Sequence, residues 1–136
     1  MNGASMQVSI GLGCDRGTPL STVVHAFDAA LAQSGLVRAQ VRVLATIEAK
    51  RDEHAFIELA QQGPWPLRFF SVAELAAVPV PNPSATVLRW MGTPSVSEAA
   101  ALLAAGAQAS ALILEKFKHQ GADGKNATIS IARIPA

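Results

Sequence analysis

The sequence predicts an α/β fold in which helices cover both faces of a mostly parallel five-stranded sheet, a three-layer α/β/α sandwich. Short apolar segments with strand character alternate with segments of helical periodicity along the first half of the chain. Half of the 136 residues are apolar and only 15% are charged, which leaves little polar surface and favours a sheet buried on both sides. We expect a single domain over residues 1–136, because this length is enough for one substantial core.

A glycine-rich turn joins the first strand to the first helix. Residues 8–12 are apolar with strand character, and residues 19–33 carry apolar side chains at helical spacing. The Thr18 hydroxyl can cap the first free amides of this helix, and Pro19 suits the first helical position. In an open α/β sheet such a junction lies at the carboxyl ends of the strands, where free helical amides favour an anion. We therefore predict an anion-binding turn at residues 13–18.

The remaining elements follow from the same periodicities and from helix-capping patterns. Ser71 and Glu74 match a capping box, in which a hydroxyl and a carboxylate satisfy end amides reciprocally, and Ser95 and Glu98 match a second one. Prolines at positions 79, 81 and 83 predict an exposed connection. Strands are predicted at 40–46, 66–70, 109–116 and 127–134, and helices at 51–62, 71–78 and 95–105. Residues 84–90 are compatible with a short helix or a strand, and we favour the helix.

Chain connectivity predicts the order of the strands. Because residues 120–126 form a short turn without a helix, the last two strands should pair as an antiparallel hairpin. Right-handed crossovers elsewhere favour the order 3-2-1-4-5, with strand 5 as an antiparallel edge strand. This order reverses the winding beside strand 1 and predicts a ligand crevice between strands 1 and 4.

Three junctions of this fold, with the exit of strand 4, supply candidate binding residues at the mouth of that crevice. The junctions are the glycine-rich turn, the start of the second helix and the start of the alanine-rich helix. Their cationic side chains and helix-end amides suit a ligand that carries several carboxylates. The candidate ligand-binding residues are Gly13, Cys14, Arg16, Gly17, Thr18, Glu48, Lys50, Asp52, Glu53, Ser95, Glu98 and Lys116.

Each candidate also has a purely structural interpretation. The glycines can serve tight geometry, the charges at positions 50–53 can be solvated, and Ser95 and Glu98 can simply cap a helix. Cys14 is either a nucleophile activated by Arg16 and the helix N-terminus or a small packed side chain. No histidine lies near Cys14 in the sequence, which favours packing and leaves the catalytic residues unassigned.

Composition and patterning argue against several classes of protein. The net charge is only +1 and no run of Lys and Arg exceeds two residues, so nucleic-acid binding is not indicated. No segment approaches the roughly 20 apolar residues of a membrane helix and the N-terminus lacks a signal-peptide pattern, which favours a cytoplasmic protein without membrane association. The single cysteine excludes an intramolecular disulfide, and the three histidines lack metal-ligand spacing, so we expect neither a metal site nor a cofactor.

Several sequence blocks carry a resemblance to a known family. They are GLGCDRGTP at 11–19, LATIEAKRDE at 44–53, FFSVAEL at 69–75, GTPSVSEAAALLAAGA at 92–107 and ATISIAR at 127–133. In this order they resemble the CobE family of cobalamin-biosynthesis proteins and the C-terminal domain of CbiG, the hydrolase that opens the lactone of a cobalt-precorrin. The chain has Asp15 where the family often has a basic residue, and Glu48 where it usually has aspartate.

The resemblance implies a role in corrin-ring biosynthesis, with a corrin or precorrin intermediate as ligand. Such rings carry many acetate and propionate groups, which suits the charged mouth. The first hypothesis is a non-catalytic protein that binds or delivers the intermediate, with other cobalamin-pathway enzymes and a second copy of the chain as candidate partners. The alternative is a hydrolase that opens a precorrin lactone and releases a two-carbon fragment. A nucleotide- or phosphate-binding module is a weaker third option, because the turn lacks the lysine and serine of a P-loop.

Overall fold

Strands and helices alternate in the described part of the chain much as the periodicities predict. The computed structural model describes residues 6–80 and 96–135. The strands are β1 Val8–Cys14, β2 Val41–Ile47, β3 Leu67–Phe70, β4 Leu112–Gln120 and β5 Asn126–Arg133, and the helices are α1 Leu20–Gln33, α2 His54–Gln62, α3 Val72–Ala76 and α4 Val96–Ala105. The 3₁₀ turns Arg38–Gln40, Glu48–Lys50 and Ala109–Ala111 precede β2, α2 and β4. Ser95, the prolines at 81 and 83 and the helix predicted at 84–90 lie outside the described residues.

Helices cover both faces of the sheet, which confirms the α/β/α layering. Helices α1 and α2 pack on one face of the sheet, against β1 and β5. Helices α3 and α4 pack on the opposite face of the same sheet. Buried side chains of the two layers include Phe27, Phe56, Ile10 and Ile129 on the first face and Leu75, Ala99 and Ile47 on the second. Burial of each large apolar side chain stabilises the fold by about 1.5–3 kcal/mol. Within residues 6–80 and 96–135, no helix has the length and apolarity to cross a membrane.

The strand order is β3-β2-β1-β5-β4, so the predicted order 3-2-1-4-5 is wrong at one edge. β2 pairs in parallel with both β1 and β3, whereas β5 pairs antiparallel with both β1 and β4. The sheet is therefore mixed rather than mostly parallel. Strand 5 is antiparallel as predicted, but it lies inside the sheet instead of at its edge.

Side-chain character explains why β5 rather than β4 is the internal strand. Residues 127 and 129–132 of β5 are buried, so the strand presents covered side chains to both helical layers. In β4 exposed residues alternate with partly buried ones, and Glu115, Lys116 and Lys118 provide the charges that protect an edge strand from further pairing. β5 therefore occupies the place of the predicted crevice between strands 1 and 4.

The two helix starts that the sequence predicts in the described residues have different outcomes. At α3 the capping box is confirmed: the Glu74 N–H donates to the Ser71 hydroxyl at 3.1 Å, and the Ser71 N–H donates to the Glu74 carboxylate at 2.8 Å. At α1 the predicted Thr18 cap is wrong, because Pro19 occupies the N-cap position. The Thr18 hydroxyl instead donates to the Asp15 carbonyl at 2.6 Å and closes the tight turn after β1.

Helix α4 runs antiparallel to β1 and packs closely on it. The Ser9 hydroxyl donates to the Ala101 carbonyl at 2.6 Å, and further along β1 Gly11 lies against the carbonyl group of Ser97. A glycine is needed for this approach, because any side chain at position 11 would overlap the helix backbone. The N-terminus of α4 therefore points toward the carboxyl end of β1.

Candidate functional site

The turn that follows β1 is fixed by hydrogen bonds on two sides. The Asp15 carboxylate accepts the backbone N–H of Asn126 at 2.7 Å, and the Asp15 N–H donates to the Asn126 carbonyl at 3.0 Å. On the other side the Gly17 N–H donates to the Glu53 carboxylate at 3.0 Å. Gly17 has a φ of +77°, a conformation that favours glycine. The turn therefore ties the start of β5 to the start of α2.

Arg16 connects this turn to the junction between β2 and α2. Its guanidinium donates to the Asp52 carboxylate at 2.7 Å and to the Ala49 carbonyl at 2.8 Å. It also lies 3.0 Å from one carboxylate oxygen of Glu53, and the Lys50 ammonium lies 3.7 Å from that same oxygen. The structure thus brings the first two of the three predicted junctions into direct contact.

The two carboxylates beside Arg16 differ sharply in exposure. The Asp52 side chain is 76% exposed and the Arg16 side chain 59%, whereas the Glu53 side chain is only 4% exposed. The hydrogen bond from Arg16 holds the pKa of the Asp52 carboxyl below its usual value. Because exposed ion pairs contribute little to stability, Asp52 is an exchangeable partner of Arg16. Glu53 is a fixed one.

Cys14 ends β1 beside this cluster, and its thiol is not activated. Burial raises the pKa of the thiol to about 11, and the lowering by the nearby Lys50 ammonium does not offset that effect. The side chain packs against the apolar layer under α1 and α2. Cys14 is therefore protonated at neutral pH. This agrees with its interpretation as a packed side chain rather than as an activated nucleophile.

The other candidates of the first two junctions have less specific environments. Gly13 lies within β1 opposite Thr128 of β5. Thr18 is buried, and its hydroxyl serves the turn. Glu48 is exposed at the start of its 3₁₀ turn. These three residues shape the surroundings of Arg16 without contacting its guanidinium in the hydrogen bonds and ion pairs described above.

A groove opens beside the Arg16 cluster, between the N-termini of α1 and α2. It has a volume of about 530 Å³. Its polar lining residues are Arg16, Thr18, Asp52, Glu53, His54 and Glu58. Neither helix has a side-chain hydrogen bond at its N-cap.

Glu98 and Lys116 form a second group, on the α4 face of the sheet. Glu98 lies in the first turn of α4 and is fully buried, and Lys116 lies in β4 with its side chain 33% exposed. The Lys116 ammonium is 3.9 Å from one carboxylate oxygen of Glu98. Glu98 alone represents the third junction, since Ser95 is not among the described residues. The predicted strand exit at Lys116 is wrong, because β4 continues to Gln120 and Lys116 lies within it.

Two glutamates hold all the buried side-chain polar atoms that lack a hydrogen bond in residues 6–80 and 96–135. The atoms are Oε2 of Glu53 and both Oε1 and Oε2 of Glu98. Burying a carboxylate without hydrogen-bond donors is costly, so native proteins rarely retain such groups without a reason. Glu98 is the carboxylate that fits this description with both oxygens, whereas Glu53 accepts the Gly17 N–H through its other oxygen and is ion-paired with Arg16.

Some residues that build these regions have no local sequence signal. The Ser130 hydroxyl donates to the Glu115 carbonyl at 2.5 Å and lies 2.8 Å from the Ser97 hydroxyl, which links β5, β4 and α4 beside Glu98. Asn126 anchors the turn after β1 from a strand more than 100 residues later. Both contacts depend on β5 lying next to β1, which the predicted strand order does not give.

The described residues contain no group of three or more His, Cys, Asp or Glu side chains arranged to hold a metal ion. His25 of α1 and His119 of β4, distant in sequence, do stack with their ring centroids 4.1 Å apart. Two imidazoles alone are fewer ligands than structural or catalytic zinc sites use.

The fold and these clusters define a mixed α/β domain with charged groups gathered around the carboxyl half of its central strand. Residues 8–132 match the family described as Cobalamin synthesis G C-terminus. The chain belongs to this family and is a protein of cobalamin biosynthesis. The family expected from the sequence blocks is thereby confirmed.

Individual relatives agree with this assignment. The chain is 35% identical over 128 residues to the Cobalt-precorrin-5A hydrolase of Priestia megaterium, a match that covers 94% of this chain but only 32% of the hydrolase. It is 37% identical over 110 residues to Protein CobE of Sinorhizobium sp, covering 79% of this chain and 71% of that protein. The crystal structure of CobE, a protein from the cobalamin biosynthetic pathway, superposes with a TM-score of 0.76 at 30% identity and covers 96% of this chain and 92% of that one.

Proposed function

We propose that this protein binds a corrin-ring intermediate of cobalamin biosynthesis near the carboxyl end of β1 and holds or delivers it as an accessory protein. Family membership supports the pathway, and the likeness to CobE extends over most of that protein. The similarity to the hydrolase spans about a third of that enzyme's length. The only cysteine is protonated at neutral pH, which argues against thiolate catalysis.

The exposed Arg16 guanidinium is the observation that carries this proposal. Nη1 of Arg16 contacts both the buried Glu53 carboxylate, at 3.0 Å, and the exposed Asp52 carboxylate, at 2.7 Å. Intermediates of the corrin pathway carry acetate and propionate groups, and a guanidinium binds a carboxylate through charge-assisted hydrogen bonds. A ligand carboxylate can therefore replace Asp52 while Glu53 keeps Arg16 in place, so little side-chain ordering is needed on binding.

The hydrolase relative supports a second candidate function, the opening of a precorrin lactone with release of a two-carbon fragment. The matched region covers 94% of this chain. The Glu98 carboxylate is buried and has no hydrogen-bond donor in the described residues. Such a carboxylate can activate a water molecule once a substrate opens access to it.

One experiment separates the two functions. Purified protein is titrated with metal-free and cobalt-containing corrin intermediates while absorbance is recorded, and the recovered ligand is then analysed. A spectral shift with the ligand recovered unchanged supports binding and delivery. Release of a small fragment supports the hydrolase. A titration without spectral shift or change in the ligand contradicts both.

A further inference from the structure

Lys50 and Lys116 stand in similar environments on the two sides of the sheet. Each ammonium lies just beyond hydrogen-bond distance of a glutamate carboxylate, 3.7 Å from Glu53 and 3.9 Å from Glu98. Both glutamates are buried, with 4% and 0% of their side chains exposed, whereas the lysine side chains are 11% and 33% exposed. A buried carboxylate is a fixed counter-charge that holds the nearby ammonium group, and the exposed part of the lysine faces solvent.

The strand order places these two lysines far apart. Lys50 follows β2 and Lys116 lies in β4, and both β1 and β5 run between those strands. Three strand spacings amount to a lateral separation of about 14 Å. One carboxylate or one phosphate group is too small to span that separation between the strands. A large ring with acid groups on opposite sides is wide enough.

We propose that Lys116 is a second carboxylate anchor, so that the site takes a ring with free carboxylates on opposite sides, lying across the carboxyl end of β1. Arg16 and Lys50 contact the acid groups on one side, and Lys116 contacts those on the other. This inference rests on the proposed function and narrows its ligand to rings whose side chains are not yet amidated. It also assigns Glu98 the role of counter-charge to Lys116 rather than of a ligand contact, since a buried anion would repel ligand carboxylates.

The position of Glu98 agrees with this role. It lies in the first turn of α4, where the helix dipole stabilises a negative charge. The two nearby hydroxyls, of Ser97 and Ser130, are hydrogen-bonded to each other. The carboxylate therefore attracts the ammonium of Lys116 toward the N-terminus of α4, on the face that lies opposite α1 and α2.

The test compares two probes, a cobalt corrinoid with free carboxylate side chains and the same ring with carboxamide side chains, in absorbance titrations. The unaltered protein should bind the carboxylate form at least about tenfold more tightly. Lys116→Met should weaken binding of the carboxylate form about tenfold and change binding of the carboxamide form less than about twofold. Arg42→Met is the matched control, since it removes an exposed cation from β2 in the groove formed with Gln62 and Trp65, and it should leave both affinities unchanged.

Lys116→Met leaves the buried Glu98 without its counter-charge and can destabilise the fold, so the double variant Lys116→Met/Glu98→Gln is measured as well. The double variant removes both charges and should show the same selective loss of affinity for the carboxylate form. If both variants bind the carboxylate corrinoid as the unaltered protein does, the second anchor is wrong. If the unaltered protein binds neither probe, the proposed function itself fails, which is a different result.

Discussion

Gly11 of β1 lies directly against the carbonyl group of Ser97 in α4. A Cβ atom at position 11 would overlap that carbonyl and come within 2.9 Å of the Ala101 nitrogen. The contact determines how closely α4 packs on β1. Glu98 follows Ser97 directly in the helix. A backbone contact in the core thus fixes where the buried carboxylate meets Lys116.

Gly11→Ala should destabilise the protein by about 3 kcal/mol or more, because the added methyl group meets main-chain atoms that no rotamer change can move. Urea unfolding measures the loss. Gly13→Ala is the control, since a Cβ there would lie 3.8 Å from the Thr128 side chain, an ordinary contact, and should change stability by less than about 1 kcal/mol. Equal stability of the two variants would show that α4 does not pack on β1 as described.

Glu53→Ala should cost about 3 kcal/mol of folding stability. The substitution leaves the Gly17 N–H without its acceptor and removes the buried counter-charge of Arg16 and Lys50. Asp52→Ala, which removes the exposed neighbouring carboxylate, should leave the unfolding curve almost unchanged. A large loss from Asp52→Ala, or none from Glu53→Ala, would reverse the roles assigned to the two carboxylates.

Alkylation of Cys14 by iodoacetamide should be slow at neutral pH and should keep accelerating above pH 9. Because burial raises the pKa of the thiol to about 11, its reactive thiolate at pH 7 is about 100-fold less abundant than that of an exposed cysteine. Mass spectrometry of the labelled protein between pH 7 and 11 gives the profile. A rate that levels off near pH 8 would mean an activated thiol and would restore Cys14 as a candidate nucleophile.

Cys14→Ser should leave corrinoid affinity within about twofold of the unaltered value, because the thiol is a packed side chain that no ligand carboxylate needs. The measurement is the same absorbance titration. Loss of binding in a variant that unfolds at the same urea concentration as the unaltered protein would place the thiol in the site.

Features with local causes could be predicted from the sequence. The strand, turn and helix around residues 8–33 follow from apolar periodicity and glycine placement, and the Ser71 and Glu74 cap follows from a four-residue pattern. Thr18 shows the limit of such patterns, because its hydroxyl donates to the Asp15 carbonyl in the tight turn instead of accepting from an amide of α1.

The position of β5 depends on information that chain connectivity does not contain. A hairpin can join the sheet through either of its strands, so the turn at 120–126 is compatible with both orders. The deciding feature is side-chain character: β5 is apolar or small on both faces, whereas β4 carries lysines and a glutamate. Weighing that composition against the turn would have favoured the observed order.

The candidate site could be predicted as a set of charges, but not as a set of partners. The sequence predicts Arg16 and Lys50 as cations for a ligand, and the structure shows both beside Glu53, with Arg16 also bound to Asp52. Arg16 is more than 30 positions away from its carboxylate partners in the sequence, and no local pattern predicts such pairs. These pairs change the prediction from a mouth of mixed charge with unassigned partners to one in which a ligand must displace an exposed carboxylate.

The central claim, that Arg16 exchanges Asp52 for a carboxylate of the ligand, is tested most directly by the corrinoid affinity of two variants in one titration assay. Arg16→Ala should weaken binding of the carboxylate corrinoid about tenfold, because the charge-assisted hydrogen bonds are lost. Asp52→Asn should strengthen it about threefold, because a competing and repelling charge is removed. Changes in opposite directions are the predicted result, and equal weakening by both variants, or no change in either, would contradict the account.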